Sequence, residues 1–257
     1  MLAAPTGPPV VDAAGVESAS GFGGYSTIAP GSWVEIYGYN LASTTRSWAA
    51  SDFNGINAPT SLSGTTVSIG GQPAFIDYVS PSQINVQIPF NLSPGPQALT
   101  VTTAAGTSDP YAIEVNAIQP GLLAPASFRI GSIQYVVALL TDGVTYVLPP
   151  GSIPGVNSQR AKAGETIVFY GVGFGSVTPD IPAGQIAAQS NALADPFQVK
   201  IGNLAATVQY AGLAPGFVGL YQFNVVVPNV ALSDKVAVAF SLAGVAGSQT
   251  LYIAVGN

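Results

Sequence analysis

The sequence predicts an all-β protein built as two tandem β-sandwiches, and three observations point there. Short segments rich in Val, Ile, Thr, Tyr and Phe recur between Gly and Pro punctuation every eight to fifteen residues or so, the spacing of a sandwich rather than of βαβ units. No stretch sustains a 3.6-residue apolar period over three turns; Gly184–Ala194 comes nearest, so at most a short helix is expected. Four blocks of the first half return in the second half in the same order.

Taken in chain order, the repeated blocks define the strands. "APGSWVEIYGYNLAS" (Ala29–Ser43) pairs with "KAGETIVFYGVGFGS" (Lys162–Ser176), an early strand followed by a Gly-rich turn. "VSIGGQPAFIDY" (Val67–Tyr78) pairs with "VKIGNLAATVQY" (Val199–Tyr210), a hairpin around Gly. "QINVQIP" (Gln83–Pro89) pairs with "QFNVVVP" (Gln222–Pro228), in which Ile84, Val86 and Ile88 alternate with polar residues as a half-buried strand requires. "SDPYAIEV" (Ser108–Val115) pairs with "SQTLYIAV" (Ser248–Val255) and closes each copy. The first sandwich is assigned to residues 1–117, with an N-terminal arm over 1–9, and the second to 118–257. Within the second, residues 133–149 read as a hairpin turning at Thr141-Asp142-Gly143, with no sequence counterpart in the first copy. The copies also differ at one corner. "VSPS" (Val79–Ser82) joins two strands in the first, whereas "AGLAPGFVGLY" (Ala211–Tyr221) does so in the second.

Composition excludes several functions. Of 257 residues 48% are apolar and only 7% charged, against about 25% charged in ordinary globular chains. Disorder is excluded by the apolar content, and a spanning helix by strand-sized apolar runs such as Tyr135–Leu140. Lys and Arg total six, with no basic run and a net charge of −6, so nucleic acid is not an expected partner. With no His and no Cys, neither a Ser-His-Asp triad nor thiolate chemistry nor a His- or Cys-ligated metal site can be built. The remaining surface is Ser-, Thr-, Asn-, Gln- and Gly-rich. The start "MLAAPTGPPVV" lacks a basic n-region and a full apolar h-region; "LAA" matches the small-residue end of a cleaved signal, and the Pro-rich arm also suits a strand donated to a neighbour's edge.

"IAPGSWVEIYGYNLA", "VSIGGQPAFIDYVSPSQINVQIP" and "YAGLAPGFVGLYQFNVVVP" resemble the Solibacter-type uncharacterised C-terminal domain of secreted or surface proteins of Acidobacteria, over about Val10 to Val255. Each half resembles the IPT/TIG group of immunoglobulin-like sandwiches, whose early strand ends in a Gly-rich turn, here "YGYNLAS" and "YGVGFGS". The resemblance implies two tandem immunoglobulin-like (IPT/TIG-type) domains in an extracellular or cell-surface module, and brings no catalytic residues with it. In the first copy Asn40 and Ala42 replace the glycines, which asks Asn40 to adopt a left-handed backbone.

Candidate sites follow from what is left. Glycosidase chemistry needs two carboxylates in one cleft; Glu35 and Glu165 sit on early strands but are not equivalent in the repeat, and no pair is brought together by the sequence. Calcium would want an oxygen-rich loop, whereas Asp142, Asp180 and Asp195 occur singly in turns, so no metal or other cofactor is expected. "GVGFG" (Gly171–Gly175) resembles a phosphate-cradling loop but is followed by neither helix nor Lys. Aromatics in loops remain. Tyr39, Trp48 and Phe53 form a candidate glycan or partner contact, and Leu213, Phe217 and Leu220 in the enlarged corner a candidate domain-interface or partner contact. Trp33 lies within a strand and reads as core. The expected function is non-catalytic: protein interaction, adhesion or self-assembly as a homo-oligomer, with polysaccharide binding as the alternative and a carboxylate enzyme a distant third.

Overall fold

The computed structural model describes residues 7–21 and 25–257. Residues 1–6 of the N-terminal arm, with the signal-remnant and donated-strand readings attached to them, lie outside the described residues. The rest forms strands, turns and two single-turn 3-10 helices, Ala50–Asp52 and Ala126–Phe128. The Gly184–Ala194 segment is turn and extended chain rather than helix, because its backbone groups pair with the neighbouring 214–218 corner instead of with each other.

In the first sandwich one sheet runs, in spatial order, Val10–Ser18, Trp33–Tyr39, Gln83–Gln87, Phe75–Val79, Arg46–Ser47. The facing sheet runs Thr27–Ile28, Tyr111–Val115, Gly95–Thr103, Thr65–Ile69, Ser61–Leu62, all antiparallel except the first pair. Alternation decides what lies between them. Val34, Ile36, Ile76, Ile84 and Val86 point inward from the first sheet against Val67, Ile69, Leu99, Val101 and Ile113 of the second, all buried.

The second sandwich repeats the plan. Thr166–Val172 pairs with Tyr221–Val226, which pairs with Thr207–Leu213; Leu204–Ala205, Phe197–Ile201, Ser233–Leu242 and Leu251–Val255 form the opposite sheet. The repeat extends to irregularities. The register slips between Ile76 and Tyr78 in the first copy and between Val208 and Tyr210 in the second, so Asp77 and Gln209 occupy equivalent bulges. The hairpin predicted over 133–149 turns on Asp142, whose carboxylate accepts from the Val144 and Thr145 amides at 2.9 Å each. Its first strand, Ala138–Leu140, pairs with Thr166–Val172 on the side where Val10–Ser18 pairs with Trp33–Tyr39. Two unrelated sequences thus fill the same place beside the early strand, at the sheet edge in the first copy and inside the sheet in the second, where Tyr146–Val147 and Ser158–Gln159 extend it. Asn40 has φ of 58°, left-handed like its counterpart Gly173 at 77°.

Candidate functional site

Alternation along Trp33–Tyr39 puts Trp33 on the same face as Glu35 and Tyr37, away from Val34 and Ile36. Trp33 therefore points out of its own sandwich, which corrects the reading of it as ordinary core. It is nonetheless only 9% exposed, because the second sandwich covers it. Cross-strand pairing places Gln87 beside Trp33 and Phe75 beside Gln87, so one outward-facing row crosses three strands. The second sandwich meets this row with two segments, 184–187 and 214–220, which bond to each other: Ala187 N–H donates to Phe217 O and Gly216 N–H donates to Ala187 O, both at 2.9 Å.

The enlarged corner, matched in the first copy only by the short Val79–Ser82 connection, supplies the Val218 side of this seam. The Trp33 indole N–H donates to the Val218 carbonyl at 2.8 Å. Gly184 N–H donates to Gln87 Oε1 at 2.6 Å, and Ala58 N–H donates to Gly184 O at 2.6 Å. Trp33, Ala58, Val172 and Val218 form a small buried cluster, with Trp48, Phe53, Phe75, Leu123 and Ile186 packed around it. Gly219 lies so close beneath that a Cβ there would sit 2.0 Å from Gln87 Nε2 and 2.9 Å from Trp33 Nε1, at φ of 63°.

The candidate residues sort as follows. Trp48 meets Trp33 edge-on at 5.7 Å and Phe53 at 4.8 Å, so both loop aromatics belong to the seam between sandwiches. Their loop is clamped by Arg46, which donates to both oxygens of Asp52 at 2.8 and 2.9 Å, while Asp52 also accepts from Ala49 N–H. Arg46 holds the Asp52 carboxyl down to about 2. Tyr39 is 55% exposed beside Val10, and no ring pair joins it to Trp48 or Phe53. In the corner, Leu213 is buried in the second core, Leu220 half-buried, and Phe217 56% exposed, whereas Val218 makes the cross-domain contact. Sequence reading named the right loop and missed Val218, since hydropathy alone does not rank Phe217 below it.

A second polar cluster follows the same outward row one step along. Glu35 lies opposite Asn85, which neighbours the Asp77 bulge, and Tyr37 Oη donates to Glu35 Oε2. Two carboxylates therefore do converge, which the sequence did not bring together. Burial, and next the negative charge of Glu35, push the Asp77 carboxyl up to about 7; an Asn85 hydrogen bond opposes this. One Asp77 oxygen is buried without a partner. The pair lies outside the cleft between the sandwiches, and the described residues hold no group of three acidic, His or Cys side chains fit for a metal.

Because the folded pKa of Asp77 lies above its unfolded value near 4, unfolding releases its proton between the two. Stability on this account is full below pH 4 and declines as pH rises to about 7, by roughly 2 kcal/mol after allowance for partial exposure. Asp77→Asn should flatten that decline and stabilise the protein above pH 7, read by urea midpoints at pH 4.5 and 8. An unchanged pH slope would show that Asp77 is ionised and well solvated.

No family model matches the chain, and no curated protein matches it. Among solved structures, the chain is similar to SGBP-B of the Bacteroides ovatus mixed-linkage glucan utilization locus, solved with a mixed-linkage heptasaccharide. The identity is 12%, the TM-score 0.39, and 99% of this chain aligns with 46% of that one. Domains 5–6 of the S-layer protein SbsC align at 11% identity and TM-score 0.30, over 96% of this chain and 98% of that. The Gamma-CGTase of alkalophilic Bacillus clarkii aligns at 13% identity and TM-score 0.30, over 97% of this chain and 26% of that. The chain thus spans less than half the length of the glucan-utilization protein and about a quarter of the CGTase. Likenesses at these TM-scores carry no argument about site or activity.

Proposed function

We propose that the chain is a non-catalytic interaction module of a secreted or cell-surface protein, in which two sandwiches locked as one body self-associate through the outer sheet of the second. The observation that carries this reading is the face formed by Phe197–Ile201 and Ser233–Leu242. Its outward row is Gln198, Lys200, Lys235, Ala237, Ala239 and Ser241, small or uncharged apart from two lysines. Lys235 lies over the Tyr252 ring at 5.1 Å, which flattens the face further. Leu204 and Val245, on the two short strands that border this sheet, and Leu232, just before it, are all exposed. Outside its two lysines, whose aliphatic stems can lie along the sheet, this row is small and uncharged and loses little to desolvation when it packs against a copy of itself. The setting outside the cell agrees with the Solibacter-type resemblance and with the polar, ion-poor surface; no helix among the described residues is long and apolar enough to cross a membrane.

Light scattering across a concentration series tests the reading. Association should rise with concentration and be abolished by Ala239→Arg, which puts a cation at the centre of the face. A strictly monomeric protein at high micromolar concentration, or association untouched by Ala239→Arg, would remove the proposal.

A further inference from the structure

We propose that the cleft between the two sandwiches is a binding site for a neutral polysaccharide chain. The cleft has a volume of about 510 Å³ and is lined from the first sandwich by Gln72, Phe75, Phe90 and Asn91 and from the second by Asp180 and Pro182, among others. Its two aromatic rings are fixed before any ligand arrives. Phe75 lies against Gly184, where a Cβ would fall 2.2 Å from the ring, and Phe90 lies against Gly31, where it would fall 2.5 Å away. Both glycines have positive φ, 79° and 76°, so the backbone there is shaped to admit the rings. Gly184 is itself tied to Gln87 and Ala58 by the seam. Rings held this way lose no rotamer freedom on binding, the condition under which an aromatic surface contributes most.

The polar groups select the ligand class. Gln72 and Asn91 offer amide donors and acceptors, Asp180 offers only acceptors, and no lysine or arginine lines the cleft. An anionic ligand would meet Asp180 without a compensating cation. A Pro-rich peptide, the other ligand suited to aromatic grooves, presents mainly carbonyl acceptors and so has little to donate to the acceptor-only Asp180 carboxylate. Sugar hydroxyls are donors and acceptors at once, so they satisfy the carboxylate and both amides while the apolar ring faces of the sugar cover Phe75 and Phe90. The rim residues Gln72, Asn91, Asp180 and Pro182 are exposed, which leaves the cleft open to a chain rather than to a monosaccharide alone.

This inference shares with the proposed function only its non-catalytic character. A monomer that binds glycan would overturn self-association and leave the cleft assignment standing. The test is native affinity electrophoresis of the full chain in gels containing glucomannan, hydroxyethylcellulose, soluble starch or polygalacturonate. At least one neutral glycan should retard the protein, and polygalacturonate should not. Phe90→Ala should weaken retardation about tenfold or more, and Asp180→Ala, at an exposed position that leaves folding alone, should weaken it severalfold. Retardation by none of the neutral glycans, retardation unchanged in both variants, retardation by polygalacturonate alone, or displacement of bound glycan by decaproline would each overturn the assignment.

Discussion

Replacing Trp33 by alanine should cost about 3–5 kcal/mol and split unfolding into two transitions. Trp33 is the largest buried side chain of the cluster that joins the sandwiches. It stands on the outer face of its sheet, so its burial comes from Val218, Gly219 and the Trp48 loop rather than from its own core. Its N–H also satisfies the Val218 carbonyl. Trp33→Phe separates the two contributions: most of the packing stays, and the unpaired carbonyl costs about 1–3 kcal/mol. Denaturant unfolding followed by tryptophan fluorescence and by far-UV CD should coincide in the wild-type chain and diverge in Trp33→Ala, where Trp48 alone reports. Small-angle scattering should show a larger radius of gyration for the variant. Coincident transitions with an unshifted midpoint would mean that the linker and the remaining seam contacts, such as those of Gly184 with Gln87 and Ala58, couple the sandwiches without Trp33.

The seam shows why some of this was legible and some was not. The internal repeat located the strands and the left-handed Asn40 because each is dictated locally, by alternation and by turn chemistry, whereas the shared bulge emerges only in the strand register. Trp33 and Gln87 share parity with Glu35, Tyr37, Gln83 and Asn85, which puts them on the outer face, although Trp33 reads as core from its place within a strand. A large ring and an amide on an outer face call for a cover, but the cover comes from Gly184 and Val218, almost a whole domain away, and no local pattern names it. Trp48 and Phe53 had the composition of a sugar platform; only the position of the second sandwich turns them inward. Phe75 and Phe90 went unnoticed for the converse reason. They stand at a strand start and just past a strand end, and what exposes them to a shared cleft is the placement of Asp180 to Gly184 opposite. The Asp77–Glu35 approach arises from a bulge, which shifts Asp77 out of strict alternation.

Phe174→Ala should lower the melting temperature by about 10 °C, the consequence of a loss of about 3–5 kcal/mol in a chain of this size. Phe174 closes the end of the second core. Its ring lies 4.6 Å from Phe223, 5.5 Å from Phe240, 5.6 Å from Tyr221 and 5.8 Å from Phe197, centre to centre. The Gly-rich turn exists to place it. A Cβ at Gly171 would meet the Phe174 ring at 2.5 Å, and one at Gly173 would meet the Gln119 carbonyl at 2.2 Å. In the first copy the matching position is Leu41, buried in an aliphatic core, with Ala42 where the second copy needs Gly175 at φ of 84°. Gly38 keeps the place of Gly171, so the copies have diverged as a set of three positions: Phe174 with Gly173 and Gly175 in one, Leu41 with Asn40 and Ala42 in the other. Phe174→Leu, which imports one member of the first set alone, should still cost about 1–2 kcal/mol, since it leaves the facing rings without their partner. The seam sets where this loss is felt. With Trp33 present, both sandwiches should melt together at the lowered temperature, because unfolding the second strips the cover from the first. In the Trp33→Ala background, Phe174→Ala should move only the transition of the second sandwich and leave that of the first in place. A double variant in which both transitions shift equally would show that the two cores communicate by a route other than Trp33.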